Sequence, residues 1–506
     1  MELLTERYKP EIKGVLSCFD RIVITGTLPT LCYAEGMGGY LNSQKIRLFD
    51  YAKFCEPFRL AITKNAEQVA QQNGLNIEFV RSSKSRKEDI VSKHLAQRGT
   101  QAGLVCILSA MESCHSYRPN YSPKTGRTTL KPVDGKCLHY YFYLVDEELG
   151  LCYLRVPTWC PFRLQAYFNG HNWLAAHLQK AGIRYEVRDN AFVDIEDFTR
   201  AQALADSLPV KALHGRLDLF AQLYCGVHAD FGQHYHWSIM QAEYATDIVF
   251  KEQKALQPIY SELTATAIHT VRADHIATFL SKKPLHGKSQ QEADSRYCVR
   301  IDGTCIKHRL GSNSIKMYDK FAHVLRIETT SSDITFFKHY RKVEHKDGTS
   351  EMKQAAMQKT IYSLDPLREC LAPANRRYLE FVSAIDDKKV GREKLQKVSR
   401  PHVEGEHTYK GFNFFDEKDE SLLLSIARGE FCVSGLRNKH LQPLLGWSSW
   451  KISQCLKRLR VHGLIKKIGH AYKYYLTDFG KEVICMAQKV KELVIIPQLN
   501  LNQALA

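Results

Sequence analysis

Residues 416–486 read DEKDESLLLSIARGEFCVSGLRNKHLQPLLGWSSWKISQCLKRLRVHGLIKKIGHAYKYYLTDFGKEVICM. Apolar residues recur at helical spacing in this stretch, and glycine or serine residues separate the helical segments. The first two helices are predicted over 417–427 and 436–446, and a third begins after Ser448, which can cap it. A short hairpin turns at Gly469 and leads into a last helix. The stretch therefore predicts a small helical module with one hairpin.

The third predicted helix has two different faces. Ile452, Leu456 and Leu459 follow the spacing i, i+4 and i+7, so we expect them to face the core. The opposite face is polar and basic, and residues of this kind contact base edges and phosphates in DNA-binding helices. The predicted DNA contacts are Ser449, Trp450, Ser453, Gln454, Lys457 and Arg458 on the helix, and Lys467, His470 and Lys473 on the hairpin.

The order of these elements resembles the winged helix-turn-helix of MarR- and ArsR-type DNA-binding modules. The segments HGLIKK (462–467) and YYLTDFG (474–480) carry the likeness. The resemblance implies that the third helix contacts double-stranded DNA and that the hairpin acts as a wing on the minor groove or the backbone. Modules of this type often form homodimers, and residues 482–496 are the candidate dimer helix. The alternative is a winged helix that contacts only protein.

The whole chain is basic. Its 506 residues include 71 Lys and Arg against 54 Asp and Glu, a formal net charge of +17. Such a charge favours a polyanionic partner, nucleic acid before an acidic membrane. The charged N-terminal sequence lacks the apolar core of a signal peptide, and no apolar run is long enough to span a bilayer. The 15 cysteines form no CxxC pair, which favours reduced thiols. We therefore expect a cytoplasmic, nucleoid-associated protein with no membrane partner.

The patterning predicts a multidomain protein of the α/β (α+β) class. Residues 1–210 alternate strands with helices, which favours a mixed α/β sheet. Residues 211–388 are expected to form an antiparallel, β-rich α+β domain that binds or processes nucleic acid. Residues 389–415 are polar and charged and are interpreted as a linker. Residues 416–490 are predicted to form the winged helix-turn-helix domain.

Two features of the first domain have alternative interpretations. Asp20 lies at the start of a predicted strand, and Asp146 and Glu147 lie at a predicted hairpin turn. They suggest either a carboxylate metal site of the transposase type or ordinary solvated turn residues. Residues 115–136 are basic and rich in proline and glycine, so they are interpreted as a loop. That loop either contacts phosphates as an arm or is simply solvated.

Residues 233–250 are predicted as one long strand. Strict alternation places Trp237, Glu243 and Asp247 on one face. At the start of the strand, His234 and His236 point the same way, and two imidazoles so placed can hold one divalent metal ion. Rolling-circle initiators and relaxases use such a pair with a third polar ligand. The alternative is a pair of surface histidines.

Residues 296–348 are predicted as a meander of antiparallel strands. Within it, SIKMYDK (314–320) and LRIE (325–328) resemble the (K/R)xYDK…LRxE segment of phage and plasmid rolling-circle replication initiators. The resemblance implies catalysis by a tyrosine beside a carboxylate, with Mg²⁺ or Mn²⁺ polarising the scissile phosphate. The implied residues are Tyr318 and Glu328 in catalysis, Lys316, Lys320 and Arg326 on phosphates, and His234, His236 and Glu243, together with Glu328, on the metal.

The alternative for this meander is a sheet stabilised by charged pairs across its strands. Initiators usually carry their nucleophile in a YxxK motif on a helix, whereas the YxxK of this chain is Tyr121–Lys124. The meander also mixes aromatic with basic residues, a pattern that suits single-stranded DNA or RNA.

Together these patterns favour a DNA-binding protein of a bacterial mobile element, phage or plasmid, such as a replication initiator or a transposase-like factor. Whether it has enzymatic activity is left open by the sequence; the activity in question is metal-dependent nicking or strand transfer. One alternative is a winged-helix transcriptional regulator without chemistry. Another is an RNA-binding protein that uses the basic sheet.

Overall fold

The computed structural model describes residues 2–81, 85–99, 101–281, 293–300, 303–345, 347–384, 388–469, 472–497 and 499. The chain divides into two compact units, Met1–Ala384 and Ile385–Ala506. Helices and strands are both abundant, and the first unit contains a large mixed sheet. The predicted mixed α/β class is therefore confirmed. None of the helices in the described residues is both long and apolar enough to cross a lipid bilayer.

The first unit is built around one large sheet. The described strands of the first unit, inside and outside this sheet, are β1 (Ile12–Thr27), β2 (Ile77–Phe79), β3 (Gly103–Ser122), β4 (Arg127–Asp146), β5 (Gly150–Pro157), β6 (Leu164–Asn169), β7 (Tyr185–Arg188), β8 (Ala191–Ile195), β9 (His236–Phe250), β10 (Ala293–Arg300), β11 (Gly303–Leu310), β12 (Asn313–Lys320), β13 (Val324–Ser331), β14 (Lys338–Glu344) and β15 (Ser350–Ala356). The described sheet has 11 strands in the order β10-β11-β12-β13-β9-β1-β6-β5-β4-β3-β2. Neighbours are antiparallel except β2 and β3, which are parallel. The pairs β7–β8 and β14–β15 form separate hairpins.

Helices pack on this sheet. They are α1 (Glu2–Arg7), α2 (Ala34–Ser43), α3 (Tyr51–Gln72), α4 (Lys87–Arg98), α5 (Gly170–Lys180), α6 (Phe198–Ala205), α7 (Val210–Tyr224), α8 (Gln253–Thr270), α9 (Ala273–Ser281) and α10 (Leu364–Ala384). One core joins residues of α2, α3, α7 and α10 to one face of the sheet, for example Ile62 and Leu217 against Phe142 and Tyr244. We call this the core face. Burial of apolar surface there fixes which side of each strand faces inward.

The opposite face of the sheet is polar along its middle strands. Register places Lys316 of β12 opposite Glu328 of β13, and Thr330 of β13 opposite Glu243 of β9. Tyr167 of β6 lies on the same side, since residues paired across antiparallel strands share a face. We call this side the polar face.

The domain boundary predicted near residue 210 is wrong. β1 and β9 are hydrogen-bonded neighbours from Ile12↔Phe250 to Thr27↔His236, and β9 also pairs with β13. Strands from both predicted domains therefore lie side by side in one sheet. Pairing between strands so distant in the sequence leaves no local pattern, because each strand shows only its own alternation.

The loop predicted over 115–136 is wrong as well. β3 and β4 continue through it as one hairpin, and the last pair before its turn is Ser122↔Arg127. Tyr117 is buried there, and its hydroxyl donates to the Leu31 carbonyl over 2.8 Å. Arg118 and Lys131 of this hairpin are exposed.

One irregularity in the pairing of β1 with β9 changes the predicted faces of β9. Gln241 pairs with Val23 and Ile239 pairs with Ile24, so Met240 is an extra residue that bulges out. Trp237 and Ile239 consequently lie in the same core as Tyr244 and not on the side of Glu243. The strict alternation predicted for this strand is wrong because a bulge reverses the faces.

The second unit is smaller. Its elements are α11 (Lys388–Ser399), β16 (His402–Glu404), β17 (His407–Tyr409), α12 (Glu417–Ile426), α13 (Gly429–Ser434), α14 (Asn438–Leu445), α15 (Ser449–Val461), β18 (Ile465–Lys467), β19 (Tyr474–Leu476) and α16 (Asp478–Val490), followed by a π-helical turn over Lys491–Ile495. Ser448 caps α15 by accepting a hydrogen bond from the Lys451 amide. The three predicted helices, the hairpin and the last helix are all present, and α13 is an additional short helix.

Residues 389–415 are not a linker. They form α11 and the hairpin β16–β17, and Val398 and Phe412 are buried in the core of the second unit with Leu422 and Leu456. Apolar residues are sparse in this segment, but a few well-placed ones suffice because the rest of the core is supplied by other helices.

Candidate functional site

A bulge in β1 creates a carboxylate cluster on the polar face. Phe19 pairs with Tyr244 and Ile22 pairs with Ala242, so Asp20 and Arg21 together lie opposite Glu243. Asp20, Glu243 and Glu328 then converge, with one carboxylate oxygen of each within 4.8 Å of the others. Bulges of this kind re-aim side chains and are frequent beside active sites.

Arg326 neutralises the buried side of this cluster. Its side chain is 0% exposed, and its Nε and Nη2 donate to Asp247 Oδ1 and Oδ2, each over 2.6 Å. Its Nη1 donates to Asp20 Oδ2 over 3.2 Å. Burial by itself would raise the pKa of Asp247, but the charge of Arg326 and its hydrogen bonds lower it to about 2. The pKa of Asp20 is likewise held well below its usual value against the effect of burial.

Residues at the start of α5 orient Asp20. Asn169 caps this helix by accepting from the His171 amide, and its Nδ2 donates to Asp20 Oδ1 over 2.7 Å. His171 Nε2 lies 2.9 Å from Arg326 Nη2 and 3.5 Å from Asp247 Oδ2, and its Nδ1 lies 3.3 Å from Asp20 Oδ1. Gly170 allows this approach, because a Cβ there would lie 2.0 Å from the Phe19 carbonyl oxygen.

Glu328 binds two groups of β12. Lys316 Nζ donates to its Oε1 over 2.5 Å, and the Tyr318 hydroxyl donates to its Oε2 over 2.6 Å. Burial opposes the charge of Lys316, yet the carboxylates of Glu328 and Glu243 raise its pKa above the usual value. The pKa of Tyr318 is raised well above its usual value by burial and by Glu328. Glu328 is thus placed to accept the proton of this phenol.

Glu243 is a carboxyl group of the cluster whose pKa lies above its usual value. Burial and the neighbouring charge of Glu328 raise its pKa, while Lys316, 3.5 Å away, acts in the opposite direction. The carboxyl groups of Asp20, Asp247, Glu243 and Glu328 thus lie around Arg326 and Lys316, and His171 lies beside Asp20 and Asp247. Two chemical outcomes are open to such an arrangement: a structural ion network, or a site where a divalent cation replaces Lys316 between Glu243 and Glu328.

The structure brings some of the predicted site residues together. Tyr318 and Glu328 are in direct contact, and Glu243 is beside them. Arg326 cannot face a phosphate as predicted, because it is fully buried between carboxylates. Lys316 and Lys320 also bind groups within the protein, Lys320 contacting Asp189 over 3.2 Å and the side chain of Asn190.

The predicted histidine metal ligands lie elsewhere. His234 and His236 are both exposed, the latter as the first residue of β9. Glu243 is seven residues further along that strand, which corresponds to roughly 23 Å. One metal ion cannot bridge that distance, so the predicted set of His234, His236 and Glu243 is wrong. The carboxylates of Asp20 and Glu328 accompany Glu243 instead.

Sequence reasoning gave no role to Asp247, His171 and Asn169. Asp247 lies on a strand with a predicted polar face, and Asn169-Gly170-His171 precedes a helix. These two signals mark a capped helix and a costly buried carboxylate. Neither signal shows that Asp247 and His171 both contact Arg326, because these three residues lie on β9, α5 and β13, which are far apart in the sequence.

The second unit presents a polar surface on α15. Ser449, Ser453, Gln454 and Lys457 are exposed there, and Trp450 is 74% exposed. On the hairpin, Lys467 Nζ lies 4.3 Å from the ring centre of Tyr472, and Lys473 Nζ lies 5.4 Å from that of Tyr475. His470 is outside the described residues.

Arg458 is not part of this surface. Its Nη1 and Nη2 donate to the two carboxylate oxygens of Asp419 over 2.7 and 2.8 Å. It also donates to the carbonyls of Lys410 and Gly411, and it stacks 3.8 Å from the ring centre of Phe412. The predicted DNA contact by Arg458 is therefore corrected to a structural role that ties α15 to α12.

No family model matches the chain, and no similar curated protein or solved structure was found.

Proposed function

We propose that the chain is a DNA-binding protein in which residues 416–490 form a winged helix-turn-helix that contacts duplex DNA. One observation carries the proposal: the outer face of α15 exposes Ser449, Trp450, Ser453, Gln454 and Lys457 together, ahead of a hairpin with exposed Lys467. Polar groups at the start of a helix read base edges, and lysines neutralise phosphates. The net charge of +17 supports a polyanionic partner.

Replacing Lys457 with Ala in the full chain should weaken duplex binding. We expect an affinity loss of roughly threefold to tenfold and a salt slope smaller by about one, because one phosphate contact is removed. Fluorescence anisotropy with labelled duplex at several salt concentrations measures both quantities.

Lys418→Ala is the matched control for this experiment, since Lys418 is an exposed lysine on α12. It should leave affinity and salt slope unchanged. Equal behaviour of the two variants would remove the DNA-contacting role of α15, and absence of any duplex binding by the wild-type chain would remove the proposal.

A second function is favoured by the contact between Tyr318 and Glu328. We propose metal-dependent DNA strand cleavage or transfer on the polar face, as in a mobile-element initiator. Glu328 would accept the phenolic proton, and the Tyr318 oxygen would form a bond to phosphorus. The bond from phosphorus to a sugar oxygen would break, and that sugar would leave as a hydroxyl after gaining a proton. Asp20, Glu243 and Glu328 are the carboxylates that would hold Mg²⁺ or Mn²⁺.

The Tyr318→Phe variant tests this chemistry. With wild-type protein, supercoiled or single-stranded DNA and Mg²⁺ or Mn²⁺, we expect nicked product and a covalent adduct on denaturing gels, both lost with a chelator. Tyr318→Phe should abolish the adduct, since it removes only the reacting oxygen.

Tyr121→Phe is the control, because Tyr121 belongs to the YxxK motif and is exposed on the β3–β4 hairpin. It should react as wild type does. An adduct that survives in Tyr318→Phe and disappears in Tyr121→Phe would place the nucleophile on the hairpin. No nicking under any condition would leave the ion network as a structural feature.

A further inference from the structure

A cavity of about 300 Å³ lies on the polar face between α4 and the strands β5 and β6. Tyr143, Tyr153 and Tyr167 line one side of it, and Arg21 and Arg86 line its opening. This volume is at the lower end of the range for small-molecule pockets, so it suits a ligand of the size of one nucleotide and excludes a duplex.

The tyrosines form an ordered aromatic wall. Register pairs Tyr143 with Tyr153 and Tyr153 with Tyr167 across β4, β5 and β6. The rings of Tyr153 and Tyr167 are stacked, with centres 5.1 Å apart and planes 17° apart. Burial raises the pKa of Tyr153 to about 12, so its hydroxyl stays neutral and does not repel an anion.

The two arginines give the opening a positive charge. Both are exposed, and Arg86 is the residue before α4. Within the part of the chain that the structure describes, no carboxylate oxygen lies within 4.0 Å of either guanidinium. The guanidinium carbon of Arg21 lies over the ring of Tyr167, 5.6 Å from the ring centre. This distance is longer than in direct stacking, so a movement of Arg21 would expose the face of the Tyr167 ring that it covers.

We propose that this cavity binds a single nucleotide, with its base on the outer face of Tyr167 and its phosphate between Arg21 and Arg86. A planar base stacks on tyrosine, and guanidinium groups pair with phosphate. Glu88 and Asn172, also in the lining, offer hydrogen-bonding partners to base edges. The inference rests on the proposed nucleic-acid function and specifies the ligand that this function would take, an unpaired nucleotide.

The location links this site to the carboxylate cluster. Arg21 follows Asp20 directly in the β1 bulge, so the cavity begins one residue from the cluster. Tyr318 is on β12, three strands from β1, so a strand with one nucleotide in the cavity would need further nucleotides to reach Tyr318. Single-stranded nucleic acid satisfies this geometry because its bases are free to leave the stack.

A fluorescent base analogue tests the proposal with the full chain. The probes are a single-stranded oligonucleotide of roughly ten nucleotides that contains 2-aminopurine, and the 2-aminopurine deoxynucleoside monophosphate. Binding should quench the fluorescence by stacking. Tyr167→Leu should lower affinity roughly tenfold and reduce the quenching, and Tyr167→Phe should restore both, since it keeps the ring.

The double variant Arg21→Ala with Arg86→Ala tests the proposed phosphate contacts. This variant should weaken binding and reduce the salt slope by about two. Arg47→Ala is the control, because Arg47 is exposed and paired with Asp50 over 2.8 Å. It should behave as wild type.

The outcomes separate this proposal from the preceding one. Equal affinity and quenching in wild type, Tyr167→Leu and the double arginine variant would overturn the cavity proposal, even if Lys457→Ala still weakens duplex binding. Sensitivity to Tyr167 without sensitivity to Lys457 would support the cavity and count against the duplex-binding module. Tighter binding of the oligonucleotide than of the monophosphate supports a nucleotide within a strand, and equal binding supports a free nucleotide.

Discussion

Arg326→Met is expected to destabilise the first unit by about 3–5 kcal/mol. The side chain is 0% exposed and makes charged hydrogen bonds to Asp247 and Asp20, both buried. Methionine fills much of the same volume but leaves two carboxylates in a low-dielectric environment without their cation. The destabilisation comes from this uncompensated charge and not from a cavity.

Hydrogen exchange followed by mass spectrometry measures the effect where it arises. We expect amides of β9 and β13 to exchange faster in Arg326→Met, while amides of the second unit keep their rates. Arg309→Met is the matched control: Arg309 is exposed on β11, two strands from β13 in the same sheet, and its replacement should change little.

A double variant isolates the pairwise interaction. Removing Asp247 as well, in Arg326→Met with Asp247→Met, should cost less than the sum of the two single changes, since both members of the pair are then absent. Additive losses, or an Arg326→Met chain as stable as wild type, would show that Arg326 does not hold the network together.

Arg458→Ala is expected to destabilise the second unit by about 3 kcal/mol. The change leaves the Asp419 carboxylate and the Gly411 carbonyl without their donor and removes the stacking on Phe412. Asp419 is buried and also accepts from the Asn413 amide, so its charge cannot turn freely to water. Faster exchange should appear in α12 and α15.

Arg460→Ala is the control on the same helix. Arg460 is exposed and pairs with Glu404 over 3.3 Å, an exposed ion pair of small value. We expect a change within about 0.5 kcal/mol. If Arg458→Ala lowers duplex affinity while the exchange of α12 stays at the wild-type rate, Arg458 contacts DNA after all.

Local patterns predicted the elements of the second unit well. Ile452, Leu456 and Leu459 are buried as their helical spacing requires, and Ser448 caps α15. Sequence reasoning failed for Arg458, because a basic residue at the edge of an exposed helix face looks the same whether it meets a phosphate or Asp419. Only the position of α12 distinguishes the two.

On the polar face, too, the sequence predicts some of the contacts and misses others. The sequence placed Tyr318 and Glu328 near each other, since they lie on consecutive strands joined by a short turn, and their contact is observed. It could not place Asp20 beside them, because that contact depends on the bulge opposite Glu243 and on pairing between β1 and β9. The prediction of a metal site at the histidine pair rests on residue spacing alone, and spacing carries no information about what lies across the sheet.

The sequence by itself determined the elements whose stabilising contacts are local: the helices and hairpin of 416–490, the meander near Tyr318, and the basic charge of the chain. The tertiary structure decided which strands share a sheet, which carboxylates converge, and which arginines are buried. The physical reason is that helix periodicity and capping are encoded within a few residues, whereas a buried charge is tolerable only where distant strands bring its partners. Asp20, Asp247 and Arg326 meet only in the folded sheet.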